Sequence, residues 1–303
     1  MHTDHGLDAR ILTPSQQRRR GRATPPMARS RPKPRRIIAP VVALALALVS
    51  VFPVIYLLSA SFMQPEQIFS VSLQLVPHPP RPQNYADIFS QFNIGHYLLN
   101  SVLVTSTVML LNLFFCSLTG YSLAKFRFPG RKAILWFILS TMMIPFNVIV
   151  VPLYAVVRNL GWINTPQALI APFAISAFGV FLMRQFIGDI PDEYLDAVRI
   201  DGAGEFGLYA RIVLPLAKPA LATLAILVFV DSWDQFLWPL IVLNSDTWKT
   251  LPLGLAQFLS NYGNAWNLLM AASVLATLPV LLLFIVLQRS FLQGFAGLSG
   301  LKG

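Results

Sequence analysis

Asp231 and Asp234 stand three residues apart in the run LATLAILVFVDSWDQFLWPLIVL, residues 221–243. In a helix that spacing sets both carboxylates on one face. An ionised side chain amid so much apolar surface is costly unless it meets water or a polar partner. Counted from Pro219 at about 1.5 Å per residue, Asp231 lies roughly 18 Å along the run. The face of Asp231, Asp234 and Gln235, with Trp233 and Trp238 beside it, has two readings. It lines a path for a hydroxyl-rich solute, because carboxylates accept hydrogen bonds and aromatic rings offer stacking faces. Alternatively, the aspartates bond to neighbouring helices and the tryptophans form an interfacial aromatic belt.

A second group of charges sits in EYLDAVRIDGAGEFGLYARIVLPLAKPAL, residues 193–221. Pro191 suits a first helical position and Asp189 a cap, so a helix is predicted over 192–200. Gly202 and Gly204 interrupt it with conformations other residues avoid. A second short helix is predicted over 205–213, after which Pro215 and Pro219 turn the chain. On this projection Glu193, Asp196, Arg199 and Asp201 offer charged contacts, while Ala197 and Ala203 leave room for close approach by a partner. A solvated amphipathic connector lying on a membrane is the competing reading.

No catalytic constellation accompanies these groups. His2, His5, His78 and His96 have no metal-ligand spacing, and no GxSxG, HExxH or P-loop pattern occurs. Without a Walker motif, energy from ATP would have to come from another subunit. Cys116, in LLNLFFCSLTGYSLA, is the sole cysteine, so no disulfide framework exists; it reads as a small packing residue.

The elements that position these groups are membrane helices. The 303 residues are 55% hydrophobic and 12% charged, with mean hydropathy +0.60. Soluble domains carry about 25% charged residues. Spanning ~30 Å of hydrocarbon takes about 20 mostly apolar residues. Six segments qualify: roughly 38–60, 98–124, 133–157, 166–187, 219–243 and 266–288. The first, IIAPVVALALALVSVFPVIYLLSA, is too long for a signal-peptide core and reads as a retained anchor. Net charge is +10, with ten of the 23 Lys and Arg before residue 37, in a proline-rich stretch without apolar periodicity. Residues 1–37 therefore read as a disordered basic tail whose partner is anionic lipid rather than nucleic acid. Alternate non-membrane pieces carry 20 of the 23 basic residues. By the excess of Lys and Arg on the cytoplasmic side, both termini and the segment 189–218 are cytoplasmic. The fold class expected is an all-α membrane protein of six spans, with residues 38–303 as its transmembrane domain. Prolines inside the spans, at positions 53, 145, 152, 172, 239 and 279, predict bent helices.

The order of residues in the polar stretch resembles the cytoplasmic EAA loop of ABC importer permeases. It matches as Asp196-Ala197-Val198, then Gly202, then Ile212-Val213-Leu214-Pro215. The extended form found in sugar-type permeases is met at Pro191, Glu193, Ala197, Asp201, Gly202, Ala203, Ile212, Leu214, Pro215 and Pro219. Asp196 replaces the usual Glu, and Val198 the second Ala. PHPPRPQNYADIF, YSLAKFRFPGRK, SWDQFLWPLIVL and QRSFLQGFAGLSGLKG look like the same family, so the likeness covers the chain from about residue 38 onward. It is closest to the maltose/glycerol-phosphate class, on the side of the smaller, six-span permease. The resemblance implies a second homologous permease, two ATPase subunits that bind ATP and Mg, and an extracytoplasmic solute-binding protein. It also implies no cofactor on this chain, a place in the inner membrane of a prokaryote, and uptake of a sugar, oligosaccharide or polyol. The loop, with Glu193, Asp196, Ala197, Val198, Arg199, Asp201, Gly202, Ala203, Leu214 and Pro215, would couple to the ATPase. The rival is an ion-coupled secondary transporter. It needs inverted repeats and a midplane ion site, for which only Asp231 and Asp234 are available.

Overall fold

A computed structural model describes residues 35–70, 74–200, 202–261 and 265–300. The basic tail before residue 35, and Asp201, lie outside the described residues. Every regular element described is helical. The principal helices are α1 (Arg35–Ala60), α2 (Gln83–Gln91), α3 (Ile94–Lys125), α4 (Arg131–Thr141), α5 (Phe146–Asn159), α6 (Ala177–Gly188), α7 (Asp192–Ile200), α8 (Lys218–Trp233), α9 (Leu251–Asn261) and α10 (Trp266–Gly300).

Contacts divide the chain into residues 1–52 and 53–303. The described part of the first unit is a stretch of α1 whose apolar side chains are all exposed from Pro40 onward. In the second unit α3 is the central helix, packed along α6 and α8, and α8 packs in turn on α10.

Among the described residues three helices, within α1, α3 and α10, are long and apolar enough to cross a membrane unaided. Three bent pairs would bring the number of spans to six. The stretch expected as one helix over 133–157 is α4 and α5, meeting at 102°. Pro145 explains the break: it has no N–H to donate and forces the residue before it away from helical dihedrals, and its own ψ is 140°. The stretch 166–187 is likewise two pieces, Pro166–Phe173 and α6, bent by 41°. The expected helix over 219–243 stops at Trp233 and resumes as Leu237–Val242.

Close approach of α3 and α6 depends on two glycines. A Cβ on Gly120 would lie 2.7 Å from Met183 Cβ and 2.8 Å from the Arg184 backbone nitrogen. A Cβ on Gly179 would lie 2.7 Å from Cys116 Sγ. Small residues are the usual means by which membrane helices reach van der Waals contact, since lipid is as apolar as leucine. Cys116 is fully buried at this seam, donating to Asn112 Oδ1 at 3.1 Å.

At the other end, the buried Asn84 on α2 is a polar knot. Its Nδ2 donates to the carbonyls of Ser61 and Met63, both at 2.9 Å. Its Oδ1 accepts from Asn267 Nδ2 of α10 at 2.7 Å. Asn84→Leu strands all three partners in a dry site, a cost of roughly 2–4 kcal/mol. We expect its thermal midpoint in detergent to fall by several degrees; an unchanged midpoint would mean that water reaches these groups.

Candidate functional site

The polar stretch folds much as its residues direct. α7 carries Asp192 and Glu193 in its first turn and Arg199 in its last, charges that complement the helix dipole at both ends. Asp189 is not its cap; it terminates α6, its N–H reaching Phe186 O at 3.3 Å. After α7 the chain turns at Gly202, where φ is +86°. The Gly202 N–H bonds to Arg199 O at 3.0 Å and the Ala203 N–H to Val198 O at 3.3 Å. This is the paired C-terminal closure that a left-handed residue makes possible. The short helix expected over 205–213 is α-helical over Glu205–Leu208, then makes a π-turn over Tyr209–Val213 before Leu214–Leu216. The wider turn leaves Pro215 inside a continuous helical path up to Ala217.

Three attachments fix this loop to the far end of α3. Lys125, whose side chain is nearly buried, donates to Ile190 O at 2.5 Å and to Asp192 Oδ1 at 2.7 Å. Tyr121 donates to Glu205 Oε2 at 2.7 Å. Tyr209 and Ser117 share a buried hydroxyl–hydroxyl bond of 2.7 Å. Within the loop, Arg199 bridges Asp196 at 2.8 Å and Glu205 at 3.0 Å. The Arg199 guanidinium, helped by the Tyr121 hydroxyl, holds the Glu205 carboxyl below the usual range. The Lys125 ammonium does the same for Asp192. Both carboxylates are therefore charged at neutral pH, and the attachments persist there.

The loop has two distinct sides. Leu195 is buried. Val198, Ala203 and Leu214 pack partly buried against the same core, beside Met183, Ile187 and Leu208. Val198 thus meets its own chain, where the extra bulk relative to alanine adds packing. Outward stand Glu193, Asp196, Ala197 and Pro215, all exposed. Beside them are Ile200 at 86% exposure, Phe206 at 72% and Tyr194 at 61%. Large apolar side chains so exposed on so charged a segment are a feature that types and spacing alone do not reveal.

The second candidate region is an open-sided cavity of about 430 Å³. It lies between α3 (Val108, Asn112), the stretch before α6 (Phe173, Ile175, Ser176) and α8 (Leu227, Val228, Asp231, Ser232), with Gln235 beyond. Ser176 donates to Asn112 Oδ1 at 3.1 Å, and Asn112 Nδ2 donates to Phe173 O at 3.1 Å. Asp231 and Gln235 share the cavity; Asp234, at the end of α8, is exposed and does not line it.

Trp233 and Trp238 also stand apart from the lining, being 3% and 1% exposed. Trp233 donates to Ala276 O at 3.0 Å and stacks on Phe229; Trp238 donates to Ala168 O at 2.8 Å. Each spends its single donor on a backbone carbonyl inside the fold. Asn112 and Ser176 were missed by sequence reasoning, although an asparagine in so apolar a run was a signal. Among the described residues no cluster of three His, Cys, Asp or Glu could hold a metal ion.

A helical bundle with bent spans, an open, largely apolar cavity that holds one carboxylate, and a charged loop keyed to its central helix together have the make-up of a membrane transport protein. Residues 117–296 match the family described as binding-protein-dependent transport system inner membrane component, and the chain belongs to that family. Two arabinooligosaccharides transport system permease proteins AraQ, from Halalkalibacterium halodurans and Bacillus subtilis, are each 38% identical over 261 residues. The match covers 85% of this chain and 93% and 92% of theirs. The sn-glycerol-3-phosphate permease UgpE of Rhizobium meliloti is 33% identical over 256 residues, covering 82% of this chain and 91% of its own. A crystal structure of a bacterial ABC transporter involved in the import of the acidic polysaccharide alginate superposes with a TM-score of 0.76. The two are 26% identical, covering 88% of this chain and 100% of that one. The protein is an integral inner-membrane permease subunit of an ABC importer, a transport component.

Proposed function

We propose that this chain is one of two homologous permeases that together enclose the translocation path of an importer for a sugar, oligosaccharide or related polyol. Two ATPase subunits bind ATP and Mg, and an extracytoplasmic binding protein delivers the solute. The chain has six spans with both termini cytoplasmic, and the basic tail lies against the anionic leaflet. α7 and the turn after it seat in a groove of the ATPase, with Glu193, Asp196, Ala197, Arg199, Asp201 and Gly202 at the contact. Val198, Ala203 and Leu214 hold the loop to its own core, and Pro215 marks its exit.

The observation that carries this reading is the two-sidedness of the loop. Its inward side is bonded to α3 at three places, and its outward side presents Ile200, Phe206 and Tyr194 to solvent. A push on the outside is therefore delivered to α3, and α3 reaches one wall of the Asp231 cavity at Asn112. That geometry suits a rigid-body switch between inward- and outward-facing states. Among mostly apolar side chains the cavity presents one carboxylate, two carboxamides and two hydroxyls, with no lysine or arginine. Such a lining suits neutral, hydroxyl-rich solutes better than phosphorylated or acidic ones. Membership of a binding-protein-dependent family supports this over the ion-coupled rival.

In the purified complex, Ile200→Asp with Phe206→Asp should reduce retained ATPase subunits about tenfold or more, as loss of two buried interface anchors would. Full retention with undiminished transport would sink the coupling role. Titration of the isolated binding protein with neutral oligosaccharides, glycerol phosphate and uronic-acid oligomers tests the solute class separately. Tight binding of only the anionic ligands would overturn it.

A further inference from the structure

At the end of α3 that holds the loop lies a second cavity, of about 500 Å³, with no part in the site above. Its lining includes Arg127, Phe128, Arg131, Lys132, Leu135 and Arg184. Four cations thus surround one concavity, and no carboxylate of the described residues lies within ion-pair distance of any of them. Arg184 bonds only Gln185 Oε1, at 3.2 Å, and its buried Nε has no partner among the described residues. A buried guanidinium N–H left unmade is expensive, so the site is incomplete as it stands. The first turn of α4 forms part of the same wall. Gly130 at its N-cap supplies no side-chain cap, which adds free amides and the positive end of a helix dipole.

What borders the cavity points to its occupant. No residue of α4 is buried. Ile134, Trp136 and Phe137 are exposed along it, the last two at 71%. An anionic pocket-filler continuous with an exposed apolar surface has the chemistry of a phospholipid: a phosphodiester among cations, acyl chains beside aromatic rings.

We propose that this pocket binds the phosphate headgroup of an anionic glycerophospholipid, held by Arg131, Lys132, Arg184 and the first turn of α4, with the chains lying along Ile134 and Phe137. The lipid completes the hydrogen bonding of Arg184, whose backbone abuts Gly120 in the α3–α6 seam. It therefore bears on the helix that carries the loop.

The whole importer complex, extensively washed in detergent and analysed for retained lipid by mass spectrometry, tests this. The wild type should keep phosphatidylglycerol in preference to phosphatidylcholine. Arg131→Gln with Arg184→Gln should weaken phosphatidylglycerol binding roughly 30-fold, as expected for two neutralised basic residues. Arg131→Lys with Arg184→Lys should restore most of it, separating lost charge from misfolding, and Arg158→Gln should change nothing. Equal retention by wild type and the Gln pair overturns the proposal. Displacement of the lipid by millimolar inorganic phosphate, with no dependence on acyl chains, assigns the site to a free anion instead. A Gln pair that sheds its ATPase subunits while keeping its lipid assigns the basic face to an acidic protein surface. Either of the last two results also overturns the lipid.

Discussion

Gly202→Val is expected to abolish solute uptake while the permease still inserts and folds, and Gly202→Asn to leave uptake largely intact. The argument rests on the backbone. Gly202 sits at φ +86°, and its own N–H and that of Ala203 close the end of α7. A Cβ costs about 1–2 kcal/mol in that region; a β-branched residue is a severe outlier there, whereas Asn tolerates it. Among the described residues, nothing beyond its immediate chain neighbours lies within 4 Å of a Cβ built on Gly202, so the penalty is conformational and not steric. The turn would open, Ala203 would leave Val198, and the exposed set at Tyr194, Ile200 and Phe206 would no longer be presented together. Gly202→Asp should fall between the two, because it accepts the conformation but adds a negative charge near Asp196 and Glu205. Transport in proteoliposomes and binding-protein-stimulated ATP hydrolysis are the measurements. If Asn fails as completely as Val, the constraint is the close approach of a partner's surface and not φ. If Val transports normally, the turn has no coupling role.

Gly120→Leu should have the largest effect on stability. A Cβ there meets Met183 Cβ and, within 3 Å, two backbone atoms of residues 183 and 184. Flexible side-chain ends can swing aside, but a helix backbone cannot, so α3 and α6 must separate along their length. Overpacking of this kind costs roughly 1–3 kcal/mol and occasionally more. Here the displaced seam also holds Cys116, Asn112 and Ser176, the groups that shape one wall of the cavity. We expect Gly120→Leu to lower the yield of assembled complex severely, and Gly120→Ala to lower the thermal midpoint measurably. Gly188→Ala is the control: it has open space around its Cβ and sits at the end of the same α6, so it should be neutral or slightly stabilising. Matching midpoints for Gly120→Ala and Gly188→Ala would show that the helices are not in close contact.

Both predictions turn on glycines, and the sequence marked them unequally. Gly202 was legible because glycine between two short polar helices has a local cause, the positive φ that closes α7. Gly120 was not, since its cause is a neighbour some sixty residues away. The same division runs through the whole protein. Long apolar runs, a strong asymmetry of basic residues and the helix–glycine–helix loop follow from local chemistry, and they set the class of fold and the position of the charged segment. The bend of 102° at Pro145 was half legible: the proline announced a kink, and packing set its angle.

Burial was decided only by tertiary structure. In a water-soluble domain the polar face of a helix shows which side is outside. In α8 and α10 most positions are apolar, and in α3 small polar residues are scattered among apolar ones, so composition does not say which residues meet lipid and which meet another helix. Trp233 and Trp238 turned inward because each found a backbone carbonyl for its N–H. Val198 turned inward to close the end of α7 against Ala203. Asn112, Ser176 and Asp231, far apart in the chain, came to share one cavity because α3, α6 and α8 pack around it. Local chemistry could place each of these residues in a segment; only the packing of those segments could give them neighbours.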